Sequence, residues 1–599
     1  MNTLRTYRPI GLAMLLLAVA AGRTRYLGRL LDMTGDEVWS VWQTFGTPSE
    51  IVAWTPFDWS PVYYLTLGGW RWLTGAHPVT LRYLSVLLFL LGCAGLYRAV
   101  AHLLDEQAAV LAVLAYGALG WSVFGSLTLR GHSFTLALTP LSLWLTLRYM
   151  ERSTWRRGLL LGCLLAFMVY IHATVGVYFV LLGVFTLIFY GWRAALRWIY
   201  PVAVLVVLIL PEALHKYTLL VGSRLSGFVY ETPPFVGGMI DYFQIYWGRA
   251  YWAWTLMVGV AVCMLLWRGW AQRRLLLGVL LWLLMPLLLY VTNEWLVLFI
   301  GRYTLWYLTG FALAVGWGLS LLPRWGQGLG VATLLVVSFA PMSIKQFDQF
   351  GENLGASMNW LAENYVAGDV VVVDPSLSAN EMREEWDLYA RIFFPQGLPL
   401  QAGPGEAQRV WYVTGISPDT QTETAVAEGR IAKQFFGELP LLIRLWEGPP
   451  DADGILFENG MRYHGAQLFH EGEPITRHLP MFHEGETVTV RLWWSVVGAP
   501  ERDYSVGLYA MDGDSNVLSS VDSAPQTISL AWQAPVPPPE TSRWEPGQYY
   551  VEEREIIVPP GSERIALTVY QWWDGERMAA PGVDRDQLLT VTPVGVMYW

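Results

Sequence analysis

The 599-residue chain is poor in charge and nearly devoid of cysteine. Asp, Glu, Lys and Arg make up 15% of it and hydrophobic residues 54%, with a mean hydropathy of +0.35. An ordinary soluble domain carries roughly 25% charge, so the composition does not fit a soluble multidomain enzyme. The three cysteines, Cys93, Cys163 and Cys263, each sit in an apolar run. The chain after residue 342 has none, so it holds no disulfide and no cysteine-based zinc site, and packing must stabilise it. Gly and Pro follow no period, which excludes collagen, and 32 Trp, 30 Tyr and 24 Phe are too many rings for a disordered chain. No residue cluster has metal-ligand spacing, and no obligatory metal or cofactor is expected.

Charge is unevenly distributed. Residues 1–342 carry 23 Lys and Arg against 12 Asp and Glu, whereas residues 343–599 carry 16 against 37. A basic, apolar front half and an acidic back half describe a membrane domain with a soluble appendage. Apolar runs near 9–22, 78–100, 107–125, 131–150, 158–171, 173–190, 198–211, 251–267, 275–291, 303–321 and 328–342 give about eleven expected spans. Residues 158–190 also read as one kinked span, and 9–22 as a cleavable signal peptide ending at "AVAAG". With alternating spans, Arg5, Arg8, Arg152, Arg156, Arg157, Arg193, Arg197, Arg268, Arg273, Arg274 and Arg324 share one side, which the positive-inside rule makes cytoplasmic. Residues 23–77, 126–130, 212–250, 292–302 and the whole chain after 342 then lie outside the cytoplasm. Arg23, Arg25 and Arg29 break this pattern: either they have a polar partner there, such as a lipid phosphate, or the first span is misread.

The expected external loops hold the unusual residues. Asp36, Glu37, Glu50 and Asp58 lie among Trp39, Trp42, Trp54, Trp59, Trp70 and Trp72. Indoles suit the membrane boundary, so an interfacial amphipathic helix with solvated acids accounts for Glu50. Adjacent carboxylates Asp36 and Glu37 at a low-dielectric boundary need a partner or a chemical task. Arg130 and His132 in "LTLRGHSF", His172 in "VYIHAT", and Glu294 to Tyr303 fall at the same expected end of their spans. An arginine at a helix end often only snorkels, and a lone histidine is more often a core residue than a catalyst. Carboxylates and cations gathered from four loops on one face nevertheless suit an anionic phosphate with a base beside it.

The order of these motifs resembles the membrane glycosyltransferases of the GT-C superfamily, in the branch of protein O-mannosyltransferases and lipid A aminoarabinose transferases. Asp36-Glu37, then Asp58, Pro61 and Tyr63-Tyr64, then Arg82 and Ser85 follow that branch's Asp-Glu, "D-x-H-P-P-x-Y-Y" and "R-x-x-S" stretches. Trp59 and Ser60 stand where its histidine and first proline would be. Leu129-Arg130-Gly131-His132-Ser133, Tyr170-Ile171-His172 and Arg302-Tyr303 are similar to its later motifs, and the likeness covers residues 1 to about 375. The resemblance implies inverting transfer of a sugar from a polyprenyl-phosphate carrier to an acceptor hydroxyl on a protein, lipid or glycan. It implies Asp36 as base, with Glu37 orienting or sharing that role. Asp58, Tyr63, Tyr64, His132 and His172 would bind acceptor or donor, and Arg130 and Arg302 the donor phosphate. Partners are the bilayer and the lipid-linked sugar, and no nucleic acid.

The expected architecture is therefore a polytopic α-helical membrane domain over 1–342, an external α/β domain over 343–450, and an antiparallel β-sandwich of jelly-roll type over 451–599. Strand, helix and strand patterns in "GDVVVVDPSLSANEMREEWDLYARIFF" and "RVWYVTGI" support the second, and short alternating segments between turns the third. The α/β region lacks a Gly-rich phosphate loop. Trp493-Trp494 and Trp572-Trp573 each read as one inward and one outward ring, the outward one packing between domains or stacking on sugar. His464, His470, His478 and His483 read as surface or turn residues. A transporter or flippase for lipid-linked glycans, or a non-catalytic sugar-binding scaffold, are the alternatives. A transporter would show repeated halves and mid-membrane ionisable residues, which this sequence lacks.

Overall fold

The computed structural model describes residues 2–27, 30–55, 61–172, 174–222, 233–247, 251–296, 304–339, 354–378, 382–415, 417–437, 441–475, 479–483, 485–528 and 538–597. The chain divides into two compact units, Met1–Gly355 and Ala356–Trp599.

The first unit is helical. Its opening elements are α1 (Asn2–Leu27), α2 (Gly35–Gln43), α3 (Pro48–Trp54), α4 (Pro61–Thr74), α5 (Pro78–Leu103), α6 (Glu106–Ala118), α7 (Gly120–Leu127), α8 (His132–Glu151) and α9 (Trp155–Ile171). Within the described residues each expected span falls on one helix or on two successive ones, but the count of eleven crossings is not confirmed. By length and composition three qualify, Pro78–Leu103, Arg193–Leu214 and Tyr251–Asn293, or four if α6 and α7, bent by 67°, form one broken span. The third of these takes in two expected spans, and Val175–Tyr190 and Tyr307–Ser320 are apolar but shorter than the ~20 residues of a full crossing.

Helix association here depends on small residues, because apolar side chains gain nothing by leaving lipid for each other. On α5, Gly92 and Gly95 lie directly against the α8 backbone, where a Cβ would collide with the Leu136 carbonyl and with Leu141. This crossing holds together the two helices that carry Arg82 and His132. Arg23, which seemed misplaced in the sequence, is buried and donates to the carbonyl of Gly117, with Phe89 beneath its guanidinium at 5.2 Å. Gly117 lies in the last turn of α6, where carbonyls have no intrahelical donor, so the arginine satisfies a group freed by the bend. Arg29 lies outside the described residues.

The second unit contains a five-stranded mixed sheet in the order β2-β1-β3-β5-β4, from β1 (Val370–Val373), β2 (Leu400–Gln401), β3 (Arg409–Thr414), β4 (Ile431–Phe436) and β5 (Leu442–Glu447). β1 pairs in parallel with both neighbours, and β5 in antiparallel with its own. Helices Met382–Phe393 and Thr420–Ala427 make it α/β, with Val370, Val372, Val410, Tyr412 and Val426 in its core. Glu447, 2% exposed, takes Lys433 at 2.6 Å, Arg409 at 3.5 Å and Gln467 at 3.1 Å.

Two antiparallel sheets follow. One runs β13-β10-β7-β6, from β6 (Ile455–Leu456), β7 (Met461–His470), β10 (Glu486–Val496) and β13 (Tyr550–Val558). The other runs β12-β11-β14-β15, from β11 (Ser505–Met511), β12 (Val517–Ser523), β14 (Arg564–Tyr570) and β15 (Leu589–Pro593). The short β8 (Glu473–Pro474) pairs with β7, and β9 (Met481–His483) with a terminal strand. Val490, Leu492 and Trp494 of the first sheet share one core with Val506, Leu508 and Leu567 of the second, which makes a sandwich. Both Trp493 and Trp494 are buried, in keeping with the packing role expected for the outward ring. Trp494 enters the core, while Trp493 on the opposite face packs on Tyr549 and reaches Gln467, 3.4 Å away. Trp572 and Trp573 sit in a turn instead of a strand, 67% and 40% exposed, so strand alternation does not govern them.

His464 also departs from expectation. It is buried, with Nδ1 2.7 Å from the Asp451 carbonyl and Nε2 2.7 Å from Ser495 Oγ. A carbonyl only accepts, so Nδ1 carries the proton and Nε2 accepts from the serine. Burial lowers the His464 pKa, which favours the neutral ring. Such a group binds more protons unfolded than folded, so its stabilisation is present above the ordinary histidine range and lost as pH falls through it. Acidification from about pH 7.5 to 5.5, across the ordinary histidine value, should lower the thermal midpoint of this unit, and His464→Gln should flatten that dependence. Circular dichroism melts at the two pH values check this; equal slopes in both proteins would contradict it.

Candidate active site

The site begins at the start of α2. Thr34-Gly35-Asp36-Glu37 forms a capping box: the Thr34 side chain accepts from the Glu37 backbone N–H, and the Glu37 carboxylate accepts from the Thr34 N–H at 2.9 Å. The T-x-x-E signature was readable in the sequence and supplies two of the helix's four unpaired donors with partners. Thr47-Pro48-Ser49-Glu50 repeats the device on α3, so Glu50 is a cap. Its exposed carboxylate is held below the usual range by the Thr47 backbone and side-chain hydrogen bonds.

Glu37 has more to hold than a helix end. It is fully buried, and Arg82, also fully buried, donates from Nη2 to both of its oxygens at 3.2 and 3.1 Å. The Leu129 backbone N–H donates to Oε1 at 2.7 Å. Arg82 in turn donates to the Asp32 carbonyl at 2.8 Å and to the Leu30 carbonyl. One turn along α5, Ser85 donates to the Thr128 carbonyl at 2.7 Å. Arg82 and Ser85 thus clamp two chain segments, 30–37 and 128–129, against one helix. Sequence reasoning matched this Arg-x-x-Ser pattern to a family but gave it no task.

Beside the clamp a carboxylate emerges into the open, next to a largely buried cation. Asp36, next to Glu37 in the first turn of the helix, has a half-exposed side chain, with Oδ2 3.5 Å from Arg130 Nη2. Arg130, next to Leu129, also donates from Nη1 to the Asp36 carbonyl at 3.0 Å. The buried pair therefore sets the distance between an accessible carboxylate and a cation. Glu37 itself has no exposed surface, and both of its oxygens are engaged.

The other expected residues gather unevenly. Tyr63 and Tyr64 are buried at the start of α4, in edge contact with centroids 5.3 Å apart, and Tyr63 also meets Phe134 of α8. A Cβ on Gly131 would stand 3.6 Å from Ile171 and 3.8 Å from the Tyr63 ring, so the ends of α4, α8 and α9 converge beside Arg130. His132 opens α8 with its ring edge-on to Trp121. His172 ends α9, its Nδ1 within 2.7 Å of Thr174 Oγ1 and 3.3 Å of the Thr174 N–H. Accepting that N–H leaves Nε2 as the donor of the neutral ring. Asp58 and Arg302 lie outside the described residues.

A family model described as dolichyl-phosphate-mannose-protein mannosyltransferase matches residues 58–214. That stretch includes Tyr63, Tyr64, Arg82, Arg130, His132 and His172, but not Asp36 and Glu37. No curated protein matches the chain. Among solved structures the chain is similar to ArnT from Cupriavidus metallidurans, in the apo state and bound to undecaprenyl phosphate, each at 12% identity and a TM-score of 0.46 over 73% of this chain and 98% of that one. It is also similar to the Archaeoglobus fulgidus oligosaccharyltransferase in the apo form, at 10% identity and a TM-score of 0.40 over the whole of both chains. The description of the family model agrees with the protein-mannosyltransferase branch that the sequence motifs resemble.

Breaking the clamp from one side leaves a buried charge without its partner, which typically costs about 3–5 kcal/mol, whereas removing both charges often costs little. Arg82→Met should therefore lower the thermal midpoint of the purified protein sharply. Glu37→Gln/Arg82→Met should recover most of the loss, since a glutamine oxygen still accepts from Leu129. A double-mutant cycle on melts in detergent reads the coupling, and additive losses would contradict a paired clamp.

Proposed function

We propose that the chain is an integral-membrane glycosyltransferase that moves a sugar from a polyprenyl-phosphate carrier to an acceptor hydroxyl on the extracytoplasmic side. The observation that carries this reading is the accessible Asp36 carboxylate held 3.5 Å from Arg130 by the buried Glu37–Arg82 pair. The match of residues 58–214 to a mannosyltransferase family supports it.

In the reaction, the acceptor hydroxyl oxygen attacks the anomeric carbon while Asp36 takes its proton. The bond from the anomeric carbon to the phosphate oxygen breaks from the opposite face, inverting the centre, and polyprenyl phosphate leaves. Negative charge grows on the phosphate, so cations fixed beforehand at that point lower the barrier. Arg130 supplies one and Arg302 the other, and no metal is invoked. His132 and His172 donate hydrogen bonds at the same end of the helices, His172 through Nε2. Tyr63, Tyr64 and Asp58 shape the binding site, and Glu37 positions Asp36 without touching substrate. Apolar helices hold the first unit in the membrane, and the second unit lies outside the cytoplasm, so its acidic surface faces the envelope. The sugar is a hexose or a pentose.

The test uses purified protein in lipid nanodiscs with synthetic undecaprenyl-phosphate sugars labelled in the sugar, and hydroxyl acceptors of protein, lipid and glycan type. Wild type should transfer label, and Asp36→Asn should lower the rate by about 10²–10⁴, the usual worth of a positioned base. Unchanged transfer by Asp36→Asn with an unchanged thermal midpoint would contradict the assignment.

A further inference from the structure

Beside Asp36 the structure places three tryptophans that the reaction as described does not use. Trp39 lies one turn along α2 from Asp36, where side chains three apart are neighbours on the helix surface. Trp42 follows one turn later, its ring centroid 5.6 Å from that of Trp39 at 77°, and Trp54 of α3 lies 4.8 Å from Trp42 at 33°. The three residues are 52%, 37% and 40% exposed. The opposite side of α2, with Glu37, Val38, Ser40, Val41 and Gln43, is buried. A strip of partly exposed indoles thus leads away from the carboxylate.

Two features set this strip apart from ordinary membrane-boundary tryptophans. First, the rings are interlocked. Gly46 lies so close to Trp54 that a Cβ there would collide with its six-membered ring, and the chain leaves that space for the indole. Trp72, at the end of α4, is 82% exposed and has the splayed form expected of a lipid anchor. Secondly, the strip begins at a half-exposed carboxylate, and burying the rings in hydrocarbon would draw Asp36 out of water at high cost. Rigid aromatic faces next to a carboxylate fit a ligand with apolar C–H faces and hydroxyl edges. That is the chemistry of a pyranose: the ring face lies on an indole while a hydroxyl hydrogen-bonds to the carboxylate.

We propose that Trp39, Trp42 and Trp54 form the acceptor platform of this site and that the acceptor is a glycan. This rests on the reading of Asp36 as base and narrows its acceptor class. The sugar over Trp39 presents its hydroxyl to Asp36, while the exposed parts of Trp42 and Trp54 meet the next one.

The test is photolabelling of the full-length protein in phosphatidylethanolamine and phosphatidylglycerol nanodiscs, read by mass spectrometry of the segment 35–55. The probes are diazirine-bearing hexasaccharides of glucose, mannose and N-acetylglucosamine, a diazirine peptide rich in Ser and Thr, and a diazirine phosphatidylethanolamine. At least one hexasaccharide should label that segment. Trp39→Ala/Trp42→Ala should cut this labelling about tenfold or more, because each stacked ring contributes measurably, while Trp39→Phe/Trp42→Phe keeps most of it at an unchanged thermal midpoint. The proposal is overturned if no hexasaccharide labels the segment, if only the peptide or the phospholipid does, or if the alanine variant labels like wild type. Asp36→Asn separates the two readings: it should keep saccharide labelling while losing transfer. Saccharide labelling combined with full transfer by Asp36→Asn would remove the base and leave the platform.

Discussion

Everything at the site hangs on one ion pair in the interior of the helical unit. Glu37 and Arg82 are both fully buried, and the carboxylate also takes the backbone N–H groups of Thr34 and Leu129. Taking two charges out of water costs more than their attraction commonly returns, so such a pair is a poor source of stability. Its effect here is positional. Three segments distant in sequence, the start of α2, the first turns of α5 and the turn before α8, are tied to a single carboxylate. The two residues that follow from this geometry, Asp36 before Glu37 and Arg130 after Leu129, are thereby fixed next to each other at the surface.

The surrounding packing serves the same end. The close crossing of α5 and α8 at Gly92 and Gly95 holds the arginine helix against the helix that His132 opens. The bend between α6 and α7 turns the chain toward Thr128, and buried Arg23 satisfies a carbonyl at that bend. A charged residue that looked misplaced near the membrane boundary is thus accounted for by a break in a neighbouring helix. In the second unit the same rule recurs at Glu447 and His464, buried polar groups each matched by named partners. Burial without partners would destabilise either.

Much of this was legible in the sequence, and the omissions have physical reasons. The split into an apolar basic half and an acidic strand-rich half follows from composition and periodicity, which report local burial. The capping boxes at Thr34 and Thr47 are local patterns of four residues and could have been read directly. The Glu37–Arg82 pair could not, because 45 residues separate its members and no periodicity links them. Apolar runs located helices well, but the number of crossings depends on length and bending, and hydropathy alone does not separate a short helix from a complete span. His464 was misjudged because irregular spacing says nothing of burial. Asp58 and Arg302 carry expectations from sequence motifs that fall outside the described residues.

The central claim is that the buried pair presents Asp36 and Arg130 together to a lipid-borne phosphate. An experimental structure of the protein with undecaprenyl phosphate tests it most directly. The account predicts the phosphate in contact with the Arg130 guanidinium, the Asp36 carboxylate facing the position of the sugar's first carbon, and the Glu37–Arg82 pair intact beneath. A phosphate bound away from Arg130, with Asp36 facing no part of the carrier, would contradict it.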